Sequence, residues 1–256
     1  MSRYDFKTPR LHLDHQLEQG ACVALEAAQA HYLTNVMRLK PGAAVLVFNG
    51  RDGEWRAELA PLSRRTMSLV VVERTRQQPA PGNLHYLFAP LKRARLDYMV
   101  QKAVELGAAR IQPVVTRHTQ AERINLARMR ANAIEAAEQC GILALPEIAD
   151  AVPLDAALAA LEPSRLLVFC DEDAPVADPV AALSVMLPEG GPPPLAILVG
   201  PEGGFAEDER KLLLRRDNIA RIALGPRILR ADTAGVAALA LVQAVLGDWR
   251  EATGTH

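Results

Sequence analysis

From residue 84 onward, short apolar runs of strand type alternate with segments of helical periodicity. The predicted strands are 84–89, 111–115, 166–170, 195–199 and 221–224. The predicted helices are 96–106, 124–140, 207–215 and 233–246. This alternation predicts an α/β fold, in which helices cover both faces of a parallel sheet. Ligands of such sheets bind beyond the carboxyl ends of the strands, so the loops there are the first candidates for a site.

The first third of the chain is mostly of β type. Short strands at 45–48 and 55–59 flank a turn at 49–53, and a helix at 26–37 and a strand at 67–72 lie on either side. The turn reads Asn-Gly-Arg-Asp-Gly, and these residues tolerate positive φ. These elements predict a small barrel with one helix.

A segment rich in proline, glycine and polar residues, 77–83, separates the two patterns and has no periodicity, which is typical of a linker. The sequence therefore predicts an N-terminal β domain over 1–76 and an α/β domain over 84–250. The chain has 256 residues and half of them are hydrophobic, which is enough to bury a core in each domain.

Composition restricts the possible partners. The formal net charge of −1 provides no overall basic field, so contacts with nucleic acid must come from local clusters. The three cysteines, Cys22, Cys140 and Cys170, have neither metal-ligand spacing nor an even pairing. The longest apolar stretch, 234–246, is too short to span a bilayer, and residues 1–10 do not resemble a secretory leader. We therefore expect a cytoplasmic protein that binds neither a metal nor a membrane.

The loop after the predicted strand 195–199 reads Gly-Pro-Glu-Gly-Gly-Phe, residues 200–205. Its glycines allow close approach of the backbone to a ligand, but their spacing matches neither a dinucleotide loop nor a phosphate loop. The next helix opens with three acids at 207–209, which repel a phosphate and suit a cofactor with a sulfonium cation. An ordinary acidic first turn after a tight turn is the alternative.

The loop after the last predicted strand reads Leu-Gly-Pro-Arg-Ile-Leu-Arg-Ala-Asp-Thr-Ala, residues 224–234. Asp232 and Thr233 are good N-cap residues for the helix that follows. Arg227 and Arg230 are either surface charges or, at the carboxyl end of a strand, a site for an anion or a carbonyl group.

Together, the two loops resemble the signature of the ribosomal RNA small subunit methyltransferase E family, which methylates N3 of a uridine in 16S ribosomal RNA. Further similarity lies at residues 31–38, 92–107 and 135–139, so the resemblance covers nearly the whole chain. The chain departs from the family where Ala-Asp-Thr at 231–233 replaces Thr-Glu-Thr, which makes the carboxylate one methylene shorter. It also has a short extension before Pro9-Arg10.

The resemblance implies a C-terminal knotted domain of the SPOUT class, with a deep trefoil knot, and a small N-terminal PUA-like β-barrel that helps to bind RNA. It also implies a homodimer and the cofactor S-adenosylmethionine, bound within the loops of the knot. The apolar helix 233–246 suits burial in a dimer interface, although packing inside one chain is the simpler explanation. The cofactor-binding residues implied by the resemblance are Leu198, Val199, Gly200, Pro201, Glu202, Gly203, Gly204, Leu224, Gly225, Arg227, Ile228, Leu229 and Arg230.

The chemistry of the reaction indicates which side chains are needed. N3 of uridine becomes nucleophilic only when its proton leaves, so the enzyme must stabilise the anion that forms. Arginine provides a permanent charge and a fork of donors, which makes Arg230 the first candidate and Arg227 the second. Asp232 or Glu202 is the candidate acceptor of the proton. No metal is required.

Local basic residues are the candidates for RNA contacts, although each by itself is more often a solvated surface charge. They are Arg10 and Arg38 in the first domain and Lys92, Arg93 and Arg95 in the second. Alternatives to this function are a knotted methyltransferase that acts on another RNA and a non-catalytic RNA-binding factor for ribosome assembly. A nucleotide-binding α/β enzyme is a third alternative, which the acidic helix start disfavours.

Overall fold

A computed structural model describes residues 5, 7–63, 66–119, 124–176, 178–188, 191 and 193–253. By their contacts, the residues group into two units, 1–81 with 134–145 and 82–133 with 146–256. The division expected from the sequence assigns 134–145 to the second domain, whereas their contacts group them with the first unit.

The first unit contains a five-stranded sheet. Its strands are β1 (Arg10–His12), β2 (Cys22–Ala24), β3 (Ala44–Phe48), β4 (Glu54–Pro61) and β5 (Met67–Arg76). They are arranged in the order β1-β3-β4-β5-β2, with β1 parallel to β3 and the other neighbours antiparallel. Buried side chains from all five strands form one apolar core, so the predicted small β domain is present.

The predicted turn between β3 and β4 is confirmed. The Asn49 side chain accepts hydrogen bonds from the amides of Arg51 and Asp52, at 2.9 Å each, and its own amide group donates to Asp52. Gly50 and Gly53 have φ of 79° and 86°, which is the left-handed conformation that the turn requires.

The helix predicted at 26–37 is only partly regular. It starts as α1 (Ala27–His31), and residues Tyr32–Val36 then form a π-helix. The chain leaves this segment through Arg38, whose φ of 55° is the only positive value at a non-glycine residue in the described part of the chain. Wider turns of this kind are rare and often occur at functional positions.

The second unit contains a seven-stranded parallel sheet flanked by helices, which confirms the predicted α/β class. Its strands are β6 (Leu84–Phe88), β7 (Ala108–Val115), β8 (Glu147–Ile148), β10 (Leu166–Cys170), β11 (Leu195–Val199) and β12 (Ile219–Ile222), and a short β9 (Val152–Pro153) also pairs with β7. The helices are α2 (Arg93–Glu105), α4 (Leu154–Ala159), α5 (Pro179–Ser184), α6 (Glu207–Leu214) and α7 (Ala231–Val245), followed by a 3-10 helix (Asp248–Thr253). A further helix, α3 (Leu126–Cys140), begins in the second unit, and its residues from 134 onward group with the first.

The strand order β12-β10-β11-β6-β7-β8 determines where the site lies. β10, β11 and β12 are neighbours, and all pair in parallel. Their carboxyl ends therefore meet at one edge of the sheet, and the loops that follow these three strands lie side by side.

Two predicted details at this edge are wrong. The strand predicted at 221–224 ends at Ile222, and α7 begins two residues earlier than predicted. Arg230, with an extended backbone (φ −67°, ψ 151°), occupies the N-cap position. Asp232 and Thr233, predicted as N-caps, therefore lie in the first turn, where an Asp232 oxygen accepts the Thr233 amide at 2.9 Å. Among the described residues, no helix is long and apolar enough to cross a membrane.

Candidate active site

The three adjacent loops at the carboxyl edge of the sheet surround a cavity of about 670 Å³. This volume is within the range of small-molecule and cofactor sites. The cavity is lined by residues 169–173, 199–205, 210, 222, 224–229, 231 and 234. Both loops that the sequence singles out are therefore brought together around one space.

The first loop, 200–205, depends on its glycines for its shape. A Cβ atom on Gly200 would lie 2.5 Å from the Phe205 ring, which itself packs edge-on against Phe169 with ring centroids 5.3 Å apart. Gly204 has a φ of 70° and donates its amide to the Pro201 carbonyl at 2.9 Å. Gly203 differs, because a Cβ atom there would only make ordinary contact with His118, at 3.5 Å.

The second loop, 223–230, contributes residues 224–229 to the wall of the cavity. Gly225 turns the chain at a φ of 92°. Within the described part of the chain, the amides at 225 and 227–229 have no hydrogen-bond acceptor, so they are available to a ligand. Ile228 is 95 % exposed, which is unusual for a large apolar side chain.

Sequence reasoning missed the third loop, which follows β10. The Asp171 side chain is 1 % exposed and forms ion pairs with Arg210 at 2.6 Å and with Arg221 at 2.7 Å. Burial raises the pKa of this carboxyl, but hydrogen bonds from the two guanidinium groups outweigh burial and hold the pKa below its ordinary value. The signal was present, because Asp-Glu-Asp at 171–173 follows a predicted strand of the same sheet.

The predicted catalytic residues are distributed around the cavity. Arg227 and Glu202 line it, whereas Arg230 is exposed beside it and Asp232 lies between the lining residues 231 and 234. Arg95 in the first turn of α2 contacts both candidate carboxylates: its Nη1 atom is 2.5 Å from Glu202, and its Nε atom is 3.9 Å from Asp232.

Of the predicted cofactor-binding residues, Leu198 does not line the cavity. It is fully buried in the core of the second unit, on the strand behind the loop. Arg230 also lies outside the lining, and the remaining predicted residues all contribute to it. Cys170 lies in the wall, and burial raises the pKa of its thiol to about 12, so it stays protonated at neutral pH.

The predicted RNA-contacting residues differ in their surroundings. The prediction that Arg10 contacts RNA is wrong, because its side chain is only 3 % exposed and is paired with Glu54 at 2.8 Å. Arg38, Lys92 and Arg93 are exposed. Arg95 faces the candidate carboxylates instead of standing alone on the surface. Among the described residues, no group of three His, Cys, Asp or Glu side chains could hold a metal ion.

Family models match both parts of the chain. Residues 78–243 match an RNA methyltransferase domain, and residues 25–72 match the PUA domain of RNA methyltransferases. With the parallel sheet and its three-loop cavity, these matches define the class: the chain is an RNA methyltransferase with an N-terminal PUA-like domain.

Individual relatives identify the family. The ribosomal RNA small subunit methyltransferase E of Rickettsia conorii is 30 % identical over 238 residues, which cover 93 % of this chain and 96 % of the relative. The Bacillus subtilis protein of the same name is 28 % identical over 237 residues, covering 89 % and 91 %. The chain therefore belongs to the ribosomal RNA small subunit methyltransferase E family.

Solved structures agree with this assignment. A ribosomal RNA small subunit methyltransferase E from Neisseria gonorrhoeae, bound to S-adenosylmethionine, matches with a TM-score of 0.78 and 26 % identity over 94 % of this chain and 99 % of that chain. A methyltransferase from Legionella pneumophila in complex with the same cofactor also has a TM-score of 0.78 and 26 % identity, covering 93 % and 98 %. The expected α/β methyltransferase fold with an N-terminal PUA-like domain is thus confirmed.

Proposed function

We propose that this protein uses S-adenosylmethionine to methylate N3 of a uridine in 16S ribosomal RNA during assembly of the small ribosomal subunit. The observation that supports this most directly is the cavity of about 670 Å³ between the loops after β10, β11 and β12, because two of these loops contain the family signature. The names of the relatives and the cofactor bound in two related structures agree with it.

The residues around the cavity fit this cofactor. Loops 200–205 and 223–230 offer glycines and available backbone amides for its polar groups. Four acidic residues in the wall, Asp171, Glu172, Asp173 and Glu202, outnumber the two arginines that line it, Arg210 and Arg227, which favours a cationic group such as a sulfonium. When bound, the cofactor supplies an electrophilic methyl group. All the predicted cofactor residues except Leu198 and Arg230 contribute to this wall. We propose that Leu198 supports the loop 200–205 from the buried strand behind it, and that Arg230 acts from beside the loop 223–229.

The chain's own residues then prepare the uracil. Arg230, with Arg227 as the second candidate, stabilises the negative charge that spreads onto O2 and O4 when the N3 proton leaves. Asp232 or Glu202 accepts that proton. The remaining requirement is alignment of the base with the cofactor cavity, which a rigid sheet edge provides.

RNA binding and assembly complete the proposal. Residues 1–76 form the PUA-like RNA-binding domain, 77–83 the linker and 84–250 the methyltransferase domain, with the trefoil knot implied by the family. The exposed residues Arg38, Lys92 and Arg93 are proposed to contact phosphates. The protein acts in the cytoplasm as a homodimer, and its substrate is 16S ribosomal RNA or the assembled small subunit.

The decisive experiment is methylation of small ribosomal subunits that lack the modification, followed by nucleoside mass spectrometry of the 16S RNA. We expect one N3-methyluridine per subunit. A product on a ribose 2′-hydroxyl, or on transfer RNA alone, would instead identify a methyltransferase with another substrate. Isothermal calorimetry with S-adenosylmethionine tests the non-catalytic alternative, because an RNA-binding assembly factor gives no heat.

A further inference from the structure

We propose that Arg95 is a positioning residue of the active site, which holds Glu202 and leaves Asp232 as the acceptor of the N3 proton. This inference rests on the proposed function and concerns the same site. It assigns to Arg95 a role other than the RNA contact expected from the sequence, and it selects one of the two candidate proton acceptors.

The geometry around Arg95 connects three elements of the second unit. The guanidinium group, from the first turn of α2, meets Glu202 in the loop after β11 and Asp232 in the first turn of α7. Its side chain is 37 % exposed, so it is held between these elements and is not fully solvated. One planar cation therefore lies between the loop 200–205 and the start of α7.

The two carboxylates are bound unequally. Glu202 Oε1 receives a direct charge-assisted hydrogen bond from Arg95 at 2.5 Å. Asp232 Oδ2 is 3.9 Å from Arg95 Nε, which is too long for a hydrogen bond but close enough for charge attraction. The other oxygen of Asp232 accepts the Thr233 amide, whereas Oδ2 accepts no hydrogen bond from the described part of the chain.

This difference assigns separate duties. Each carboxylate has one oxygen that accepts no hydrogen bond from the described part of the chain, Oε2 of Glu202 and Oδ2 of Asp232. Only Glu202 is tied directly to Arg95, and it therefore serves as the anchor of the loop 200–205. Asp232 retains an oxygen that can accept a proton: the N3 proton moves to Oδ2, and the electron pair of the N–H bond stays on N3. The negative charge passes from the carboxylate to the uracil, and the exposed Arg230 is close by in the chain to meet it.

The test is single-turnover methylation of unmodified small subunits at saturating substrate, with RNA affinity measured separately. Arg95→Ala should lower the rate about 10- to 100-fold with RNA affinity nearly unchanged, because misplacing a reactive group by about an ångström costs roughly that much. Arg95→Lys should recover part of the rate, since one ammonium can still reach Glu202. Asp232→Asn should cost about 100- to 10,000-fold, as expected for loss of a general base.

A double-mutant cycle separates positioning from folding. In a Glu202→Gln background, Arg95→Ala should cost clearly less than it does in the wild-type protein, because the contact through which it acts is already weakened. Lys102→Ala, which also breaks an ion pair of α2, with Glu105 at 2.6 Å, is the matched control and should turn over normally. Circular dichroism checks that each variant is folded.

The outcomes distinguish this inference from the proposed function. If the wild-type protein methylates but Arg95→Ala loses only RNA affinity, Arg95 is an RNA contact and the inference is overturned. The same conclusion follows if Asp232→Asn retains the wild-type rate and Glu202→Gln does not. If the wild-type protein transfers no methyl group, the proposed function fails and the inference falls with it.

Discussion

The sequence alone does not distinguish the candidate arginines from one another, but their surroundings in the structure give them different roles. Arg10 is buried against Glu54 and stabilises the first unit. Arg95 lies near two carboxylates, whereas Arg227 is exposed in the cavity wall and Arg230 is exposed beside the cavity. A cation that is already paired has little left to offer a substrate. The exposed arginines are therefore the candidates for stabilising the negative charge that develops on the uracil.

The first prediction concerns Arg230. Losing one preorganised donor to developing charge costs roughly 100- to 1,000-fold in rate, so Arg230→Ala should lower single-turnover methylation by about that factor. Calorimetry should show cofactor affinity nearly intact. Arg230→Lys should rescue poorly, because a point charge cannot reproduce the planar fork. Arg215→Ala, an exposed arginine just after α6, is the control. Normal turnover of Arg230→Ala would transfer the role to Arg227.

The second prediction uses the strained backbone of Arg38. Glycine tolerates its φ of 55°, so Arg38→Gly relieves strain, while the greater freedom of the unfolded chain offsets that gain. The free energy of unfolding should therefore change by less than about 1 kcal/mol. RNA affinity should fall, and the slope of log affinity against log salt should decrease by about one, as for loss of one phosphate contact.

Titration of a 16S RNA fragment at several salt concentrations measures both quantities. Arg51→Ala, an exposed arginine of the same unit, provides the comparison. An Arg38→Gly variant with unchanged affinity and salt slope would show that Arg38 makes no phosphate contact.

At the scale of elements, the sequence predicted the buried strands best. β10 and β11 begin and end at the predicted residues, because strands covered on both faces are apolar throughout. β12 was misplaced because the apolar pattern continues to Leu224, beyond the last pairing at Ile222. The π-helix at Tyr32–Val36 was missed because one extra residue in a turn hardly alters helical periodicity.

The candidate site could be predicted only where its residues form a local pattern in the sequence. The glycine loops have a local signature, so the sequence alone predicts them. The acidic run at 171–173 is also visible in the sequence, but the ion pairs of Asp171 are not, because Arg210 and Arg221 are 39 and 50 residues away in the chain. The pairing of Arg95 with Glu202, which spans 107 residues, was hidden in the same way.

The third prediction concerns the packing of α7 against β6. A Cβ atom on Gly235 would collide with the Tyr86 hydroxyl and lie 2.8 Å from the Met99 sulfur. Gly235→Ala should therefore lower the free energy of unfolding by about 1–2 kcal/mol, since overpacking outweighs the better helix propensity of alanine. The Tyr86 hydroxyl is buried without a partner among the described residues, so Tyr86→Phe alone should be neutral or stabilising.

The double variant makes this prediction specific. Tyr86→Phe removes the atom that the added methyl group at position 235 would meet, so it should recover most of the loss in urea denaturation. Gly82→Ala, whose Cβ atom would only make ordinary contacts at 3.5 Å, is the control. Strictly additive effects of the two substitutions would show that the hydroxyl is not the obstacle.

At the scale of the whole molecule, the fourth prediction is the homodimer. Several apolar side chains of α7 are only partly buried within one chain, among them Val236, Ala237 and Leu241. Light scattering at micromolar concentration should give about twice the chain mass of 27.8 kDa. Ala237→Glu should shift the protein towards the monomer because it places a charge on this face, whereas Lys211→Glu on α6 should not. A fully active wild-type monomer would contradict the prediction.

The fifth prediction is a dependence of stability on pH, through His85 on β6. Burial lowers the pKa of His85 from its ordinary 6.5 to about 4, and the nearby cations Arg165 and Arg110 add to this effect, while Glu162 and Glu147 oppose it. Between these two values the unfolded chain binds a proton that the folded protein does not. The contribution of the neutral His85 ring to the free energy of unfolding is therefore at its full value above about pH 6.5, and it is lost as the pH falls towards 4.

Urea denaturation at pH 7 and pH 4.5 measures this effect against His85→Gln, which cannot titrate. Between the two pH values the wild-type protein should lose about 1–2 kcal/mol more than the variant, less than the full shift would give because solvent still reaches the partly buried ring. His15→Gln, at an exposed histidine, should follow the wild-type curve. Because the comparison subtracts all other titrating groups, equal losses in wild type and His85→Gln would mean that the ring is protonated equally in the folded and unfolded states.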